Sequence, residues 1–208
     1  MSLLLTFITS LMLGMRHATD PDHIVAVTTI VSRERSVAKA AGIGVLWGIG
    51  HTITLLLVGG AIIAFKIVLD AKLGLSLEFC VAIMLLVLGT LNLFDVRANA
   101  RATSASRPFL VGVVHGLAGS AAAALLIVPL IDDPRWAALY LLTFGLGTIV
   151  GMTVITLSIA APSLLAAAHI PSLQRSLRVA SGAVSLVFGL YLAHKIGFSD
   201  GLFTSEPP

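Results

Sequence analysis

The sequence contains few charged residues and a single cysteine. Only 11% of its 208 residues are charged and 57% are hydrophobic, whereas a soluble domain usually carries about 25% charged residues. The lone Cys80 excludes a disulfide framework within one chain and a cysteine-rich metal site. The net charge of +3 is small and the basic residues fall in short loops, so we expect no nucleic-acid partner. With a mean hydropathy of +1.02, the composition indicates an integral membrane protein.

The sequence motifs of common hydrolases are also missing. The chain has no His-Glu-x-x-His zinc-protease motif, no Gly-x-Ser-x-Gly nucleophile elbow and no Gly-x-x-x-x-Gly-Lys-Ser/Thr phosphate loop. ATP hydrolysis through a phosphate loop is therefore excluded, and we expect a protein that is not an enzyme.

Six apolar segments are long enough to cross a bilayer, because a core about 30 Å thick needs about 20 helical residues. They cover residues 2–31, 40–65, 74–94, 108–131, 136–160 and 176–197. The sequence thus predicts an all-α, multi-pass protein of the cytoplasmic (inner) membrane, with residues 1–208 in one transmembrane domain. Loops after the first, third and fifth segments hold eight Lys or Arg residues, and the opposite loops hold four. The positive-inside rule then predicts that both termini are extracytoplasmic.

The first segment contains a polar run from His17 to His23, with the sequence His-Ala-Thr-Asp-Pro-Asp-His. An Asp at the centre of a membrane helix is unfavourable by roughly 2.5–3.5 kcal/mol, so its charge is expected to have a partner. On an unbroken helix the side chains of His17 and His23 would diverge by about 120°. Pro21 removes a backbone donor and clashes with the preceding turn. We therefore predict a break in this helix, which would re-aim Asp22 and His23.

Two short motifs recur in the second half of the chain at nearly the same spacing. Leu13–His17 (Leu-Gly-Met-Arg-His) is matched 98 residues later by Val111–His115 (Val-Gly-Val-Val-His). Trp47–Gly50 (Trp-Gly-Ile-Gly) is matched 97 residues later by Phe144–Gly147 (Phe-Gly-Leu-Gly). Halves of about 1–98 and 99–208, with three helices each, would cross the membrane in opposite senses. Such inverted three-helix repeats with an interrupted helix are typical of secondary transporters, whose substrate site lies near the midplane.

Histidines and carboxylates inside the apolar segments are the candidate metal ligands. Neutral imidazoles with carboxylates suit nickel, cobalt, zinc or iron(II), whereas carboxylates and carbonyls alone suit magnesium, calcium or manganese. A proton relay, or an ion pair closed within the motif by Arg16, stays open as an alternative. The candidate ligands are His17, Asp20, Asp22, His23, His51 and His115. Residues expected to orient the ligands or to gate the path are Arg16, Pro21, Gly48, Gly50, Thr52, Asn92, Gly116, Gly119 and Ser120.

Three of these segments resemble motifs of one transporter family. Arg16–His23 resembles the signature of the nickel/cobalt transporter family, Arg-His-Ala-x-Asp-Ala-Asp-His, and Leu46–Thr52 is similar to that family's Leu-Gly-His-Ser/Thr segment. His115–Ser120 resembles the Gly-rich motif of a shorter branch described as high-affinity nickel-transporter-like or urease-accessory-like. Members of the family have eight helices, whereas this sequence predicts six. Pro21 and Thr19 stand where the family usually has Ala and an aromatic residue.

The resemblance implies selective membrane transport of Ni²⁺ or Co²⁺, with no tightly bound cofactor. The functional positions that it implies are His17, Asp20, Asp22, His23 and His51. The chain lacks the His-rich loop of related exporters, which favours uptake. A non-transporting metal-binding membrane partner of metalloenzyme maturation and a proton-coupled exporter of another divalent metal stay open as alternatives. The expected partners are a divalent metal ion and the lipid bilayer, and self-association into a homo-oligomer also stays open.

Overall fold

A computed structural model describes residues 3–66, 70–94, 106–117, 128, 131, 133–170 and 173–204. All of the regular structure within these ranges is helical. The helices are α1 (Leu3–His17), α2 (Pro21–Val31), α3 (Val37–Phe65), α4 (Ala71–Leu93), α5 (Ser106–Leu117), α6 (Pro134–His169) and α7 (Leu173–His194). A π-helical turn, Lys195–Ser199, continues α7.

Four of the helices, α3, α4, α6 and α7, are long and apolar enough to cross a membrane. Their outward faces carry large apolar side chains, such as Leu57, which is 70% exposed, and Val187, which is 68% exposed. In water a surface of this kind would form an unfavourable apolar patch, whereas lipid tails solvate it. The chain is therefore a helical membrane protein.

The first predicted segment is broken at its polar run. α1 ends at His17, and the N–H groups of Thr19 and Asp20 then donate to the carbonyls of Arg16 and His17, at 2.9 and 3.1 Å. Asp20 is extended (φ −60°, ψ 143°), as the residue before a proline prefers. α2 begins at Pro21, a position where the missing N–H of proline has no helical partner to lose. The predicted break is thus confirmed.

Two other predicted segments differ from the structure in extent. The helix predicted over 136–160 runs from Pro134 to His169 and continues through Pro162, which membrane helices tolerate because neighbouring groups satisfy the freed carbonyl. The segment predicted over 108–131 starts as α5 at Ser106, but beyond α5 only residues 128 and 131 of it are described. The arrangement in six spans therefore stays a prediction.

Glycines allow close helix crossings around α3 and α6. α3 packs against both α5 and α6, and α6 also packs against α1. A Cβ on Gly14 of α1 would overlap the carbonyl oxygen of Phe144, and a Cβ on Gly112 of α5 would overlap that of Trp47. Both crossings therefore require a residue without a side chain, as is common where membrane helices meet. They bring the ends of α1 and α5 towards the middle of α6 and α3.

The other helices, α2, α4 and α7, are joined by a buried polar network. α4 packs against α7, and α2 contacts both of them as well as α6. The side-chain amide of Asn92 donates to the carbonyl of Thr29 (2.7 Å) and to the hydroxyls of Ser32 (3.0 Å) and Ser181 (3.3 Å). Its carbonyl accepts from Nε of Arg33 at 2.5 Å. This network fixes the end of α2 that lies away from the polar run.

Candidate metal site

The break between α1 and α2 brings two histidines of the polar run together. His17 is the last residue of α1, and His23 is the third residue of α2. Their ring centroids lie 4.7 Å apart. A continuous helix would have turned these side chains about 120° apart, so the change of chain direction at Ala18–Asp20 is what makes them neighbours.

Two further helices each contribute one histidine. His51 of α3 lies with its ring centroid 5.0 Å from that of His17 and 5.7 Å from that of His23. His115 of α5 lies 4.6 Å from His23 by the same measure. His51 and His115 are fully buried, and His17 and His23 are 7% and 1% exposed. The structure thus gathers all four histidines named from the sequence into one buried cluster.

The two aspartates hold the histidine rings by their Nδ1 atoms. Asp20 Oδ2 lies 2.9 Å from Nδ1 of His17, and Asp22 Oδ1 lies 3.0 Å from Nδ1 of His23. The other carboxylate oxygen of Asp22 lies 3.5 Å from Nε2 of His115. Carboxylates that accept from Nδ1 orient an imidazole and leave Nε2 free to bind a metal, as in carboxylate–histidine–metal sites.

Several imidazole nitrogens of the cluster face each other with no hydrogen-bond partner among the described residues. They are Nε2 of His17, of His23 and of His115, and both ring nitrogens of His51. A buried polar atom that lacks a partner is unfavourable by about 1–3 kcal/mol. Five such nitrogens in one place therefore call for a shared ligand. A divalent transition metal ion would bind one nitrogen of each ring, because a neutral imidazole offers one electron pair and carries a proton on its other nitrogen.

The donor atoms form two overlapping groups that share His23. His17, His23 and His51 each offer a ligand atom within 4.8 Å of the others, and Asp22, His23 and His115 do the same. Since metal–nitrogen bonds are about 2.0–2.1 Å, small side-chain movements would bring three donors onto one ion. Two adjacent donor groups suit an ion that is handed from one to the other.

Two aromatic side chains that were not named as site residues enclose the cluster. The ring of Trp47 stacks nearly parallel to that of His23 (6.0 Å, 8°) and lies 5.2 Å from that of His115. Phe144 lies 5.6 Å from His17. Both residues belong to the repeated Gly-rich motif, which was a usable signal. They exclude water and lower the local dielectric, so that charge–ligand interactions are stronger.

The remaining sequence-predicted residues have different surroundings. Gly50 and Gly116 lie at the α3–α5 crossing, where a Cβ on Gly116 would come within 2.6 Å of the His51 carbonyl oxygen. Gly48 packs against α6, and the Thr52 hydroxyl donates to the carbonyl of Gly145 there at 3.1 Å. These residues therefore support the helices that carry the histidines.

The others stand at the margins of the cluster or away from it. Arg16 is exposed, Pro21 starts α2, and Asn92 bonds to the far end of α2 rather than to a candidate ligand. Gly119 and Ser120 lie outside the described residues.

Taken together, the helices and the buried cluster define a membrane protein with an interior site of histidines and carboxylates. The chain is 34% identical over 209 aligned residues to the urease accessory protein UreH of Bacillus sp. (strain TB-90), with 92% of this chain and 91% of that protein covered. It belongs to the family of this urease accessory protein. No family model and no solved structure match the chain. The urease-accessory-like branch expected from the motifs is confirmed, and Ni²⁺ or Co²⁺ uptake stays a prediction.

Proposed function

We propose that the protein is a secondary transporter or facilitator of divalent transition-metal ions, and that it takes up Ni²⁺, or Co²⁺, across the cytoplasmic membrane. The observation that carries the proposal is that four buried histidines lie in contact and that each has a ring nitrogen without a hydrogen-bond partner among the described residues. A structural role would leave these nitrogens hydrogen-bonded within the fold. A relative named as a urease accessory protein agrees with a role in nickel supply.

The chemistry of the donors supports this choice of ion. Imidazole nitrogens suit nickel, cobalt, zinc and iron, and the soft thiolates that select copper(I) play no part among the donors. Asp20 and Asp22 supply negative charge that compensates the ion in a medium of low dielectric. We assign the ligand role to His17, Asp22, His23, His51 and His115, with Asp20 orienting His17.

Matched helix contacts support an inverted repeat. Gly14 lies against the backbone of Phe144, and Gly112 lies against the backbone of Trp47. Gly112 follows Gly14 by 98 residues, and Phe144 follows Trp47 by 97 residues. The two contacts are therefore related by the same spacings as the sequence motifs. α1 of the first half thus packs on α6 of the second as α5 of the second packs on α3 of the first. We propose a pseudo-twofold axis through the histidine cluster, and six spans with both termini extracytoplasmic.

The position of α2 suggests how the ion could pass. α1, α3, α5 and α6 pack as one group, α4 and α7 pack as another, and α2 contacts members of both. α2 carries His23, which belongs to both donor groups, and Asp22, which belongs to the group that includes His115. A small movement of α2 between the two helix groups would therefore open the cluster to one side at a time.

Reconstitution tests the function directly. The purified protein alone in liposomes should give saturable uptake of radioactive Ni²⁺. Unlabelled Co²⁺ should inhibit this uptake more strongly than Mn²⁺ does. His17→Ala and Asp22→Asn should abolish uptake, whereas His194→Ala, at the end of α7, should retain it. Size-exclusion profiles check that each variant is folded.

The two alternatives predict other results in the same assay. Tight Ni²⁺ binding without any uptake would identify a non-transporting metal-binding partner of enzyme maturation. Efflux that depends on an imposed pH gradient and prefers another divalent metal would identify a proton-coupled exporter. Full uptake by Asp22→Asn would show that the site proposed here is wrong.

A further inference from the structure

A cavity of about 250 Å³ lies beside the histidine cluster. Asp20, Asp22 and Glu78 line it, and the rest of its wall is apolar. Its lining also includes Ile196, so it lies where α2 and α4 begin and where α7 passes into the π-helical turn. One water molecule takes about 30 Å³, so the cavity has room for a cation that keeps a shell of about six waters.

Asp22 connects this cavity with the donor atoms behind it. Its side chain is 15% exposed, and its two oxygens lie 3.0 Å from Nδ1 of His23 and 3.5 Å from Nε2 of His115. Nε2 of His23 and both ring nitrogens of His51 have no hydrogen-bond partner among the described residues and are almost completely buried. The cavity therefore leads, through one carboxylate, to nitrogens that need a ligand.

Glu78 gives the outer part of the cavity a negative charge. It lies about two turns from the start of α4 and is half-buried. The nearby cation Lys195 pairs with Asp200 at 3.6 Å. Within the described part of the chain, no basic group lies within ion-pairing distance of the Glu78 carboxylate, although the charges of Lys195, Asp200 and Asp22 all act on it. A carboxylate at an apolar-walled opening attracts cations, because low-dielectric walls focus its field.

We propose that this cavity is the vestibule through which the metal ion reaches the cluster, and that Glu78 is the residue that captures the hydrated ion. The inference rests on the proposed transport function and names the access route and the first contact. Asp22 then receives the ion and replaces one of its waters with a carboxylate oxygen before the histidines bind it, and the charge of Asp20 attracts the ion towards this position. The unequal distribution of Lys and Arg between the loops predicts that the N-terminal end of α4 lies on the extracytoplasmic side. Uptake begins on that side.

Neutralising the capturing charge tests the role of Glu78. In proteoliposomes at low ionic strength, Glu78→Gln should raise the apparent KM for radioactive Ni²⁺ on the order of tenfold, with kcat within about twofold. The reason is that electrostatic steering changes the rate at which the ion meets the protein and not the later steps of transport. The difference should shrink in about 1 M salt, where the Debye length is about 3 Å. The matched control is Asp70→Asn, which removes the same charge just before α4 begins. Asp70 does not line the cavity.

A chemical rescue distinguishes charge from shape. The Glu78→Cys variant is made in a Cys80→Ser background, because Cys80 is exposed. Modification with an anionic methanethiosulfonate should return the KM towards the wild-type value. Modification with a cationic reagent of similar size should raise it further. Mass spectrometry confirms that both reactions are complete.

The outcomes separate the vestibule from the transport function. A KM for Glu78→Gln that equals that of Asp70→Asn, or equal effects of the two reagents, would overturn the vestibule while wild-type uptake still supports transport. Absence of uptake by the wild-type protein would overturn the transport function and the vestibule with it.

Discussion

The ring centroid of His23, on α2, lies 4.6 Å from that of His115, on α5 in the second half of the chain. Asp22 strengthens the contact, since its Oδ2 lies 3.5 Å from Nε2 of His115. The donor group of Asp22, His23 and His115 therefore draws on both halves of the chain. A metal ion bound here would cross-link the two halves, so occupancy of the site and packing of the helices are expected to be coupled.

Removing His51 should abolish metal-dependent stabilisation without unfolding the protein. Because both ring nitrogens of His51 are buried and unpaired among the described residues, His51→Ala loses no hydrogen bond. A ligand raises stability by RT ln(1 + [L]/Kd), about 2.7 kcal/mol at a hundredfold excess over Kd. We expect the rise in Tm with Ni²⁺ to disappear in His51→Ala and to persist in His194→Ala. An unchanged Ni²⁺-dependent rise in the first variant would exclude His51 as a ligand.

Acid should weaken metal binding. Neutral imidazole binds a transition metal and protonated imidazole does not, so protons compete with the ion for the same nitrogens. We expect the Kd for Ni²⁺ to rise as the pH falls from about 7.5 to about 4.5, with most of the rise in the lower part of this range, because burial disfavours the protonated form of an imidazole. Equilibrium binding with radioactive Ni²⁺ measures this, and Tm without metal over the same range controls for unfolding. A Kd that does not change with pH would point to ligands other than histidine.

The sequence predicts the members of the cluster better than its surroundings. His17, Asp22 and His23 stand out because charge in an apolar segment is unfavourable, and Pro21 indicates where the helix must break. Glu78 could not be assigned in the same way, and the repeated Gly-rich motif marks Trp47 without giving it a role. An apolar aromatic residue or a carboxylate near a helix end has many ordinary roles, and only tertiary packing places Trp47 on His23 and Glu78 in the cavity.

The α3–α5 crossing should be intolerant of even one methyl group. An added Cβ on Gly112 would overlap the Trp47 backbone, whereas nothing lies within 4 Å of an added Cβ on Gly42. We expect Gly112→Ala to be destabilised by about 1–3 kcal/mol through overpacking. Gly42→Ala should be stabilised by about 0.5–1 kcal/mol through helix propensity. Denaturation in detergent measures both, and equal effects of the two substitutions would contradict the close crossing.

Asn92 should act on stability rather than on metal affinity. Its amide joins α2, α4 and α7 through Thr29, Ser32, Ser181 and Arg33, and its side chain is 2% exposed. Asn92→Ala removes these buried hydrogen bonds together, so we expect a loss of about 1–3 kcal/mol in the free energy of unfolding.

Metal affinity is the measurement that separates this role from a role in the site. The folded fraction of Asn92→Ala should bind Ni²⁺ within about twofold of the wild-type Kd, since twofold is only about 0.4 kcal/mol. Thr90→Ala is the matched control, because the Thr90 hydroxyl is exposed and, among the described residues, bonds within its own helix to the carbonyl of Leu86. If Asn92→Ala kept full stability and lost Ni²⁺ affinity, Asn92 would instead orient the ligands, because the polar network would then transmit its effect along α2 to Asp22 and His23.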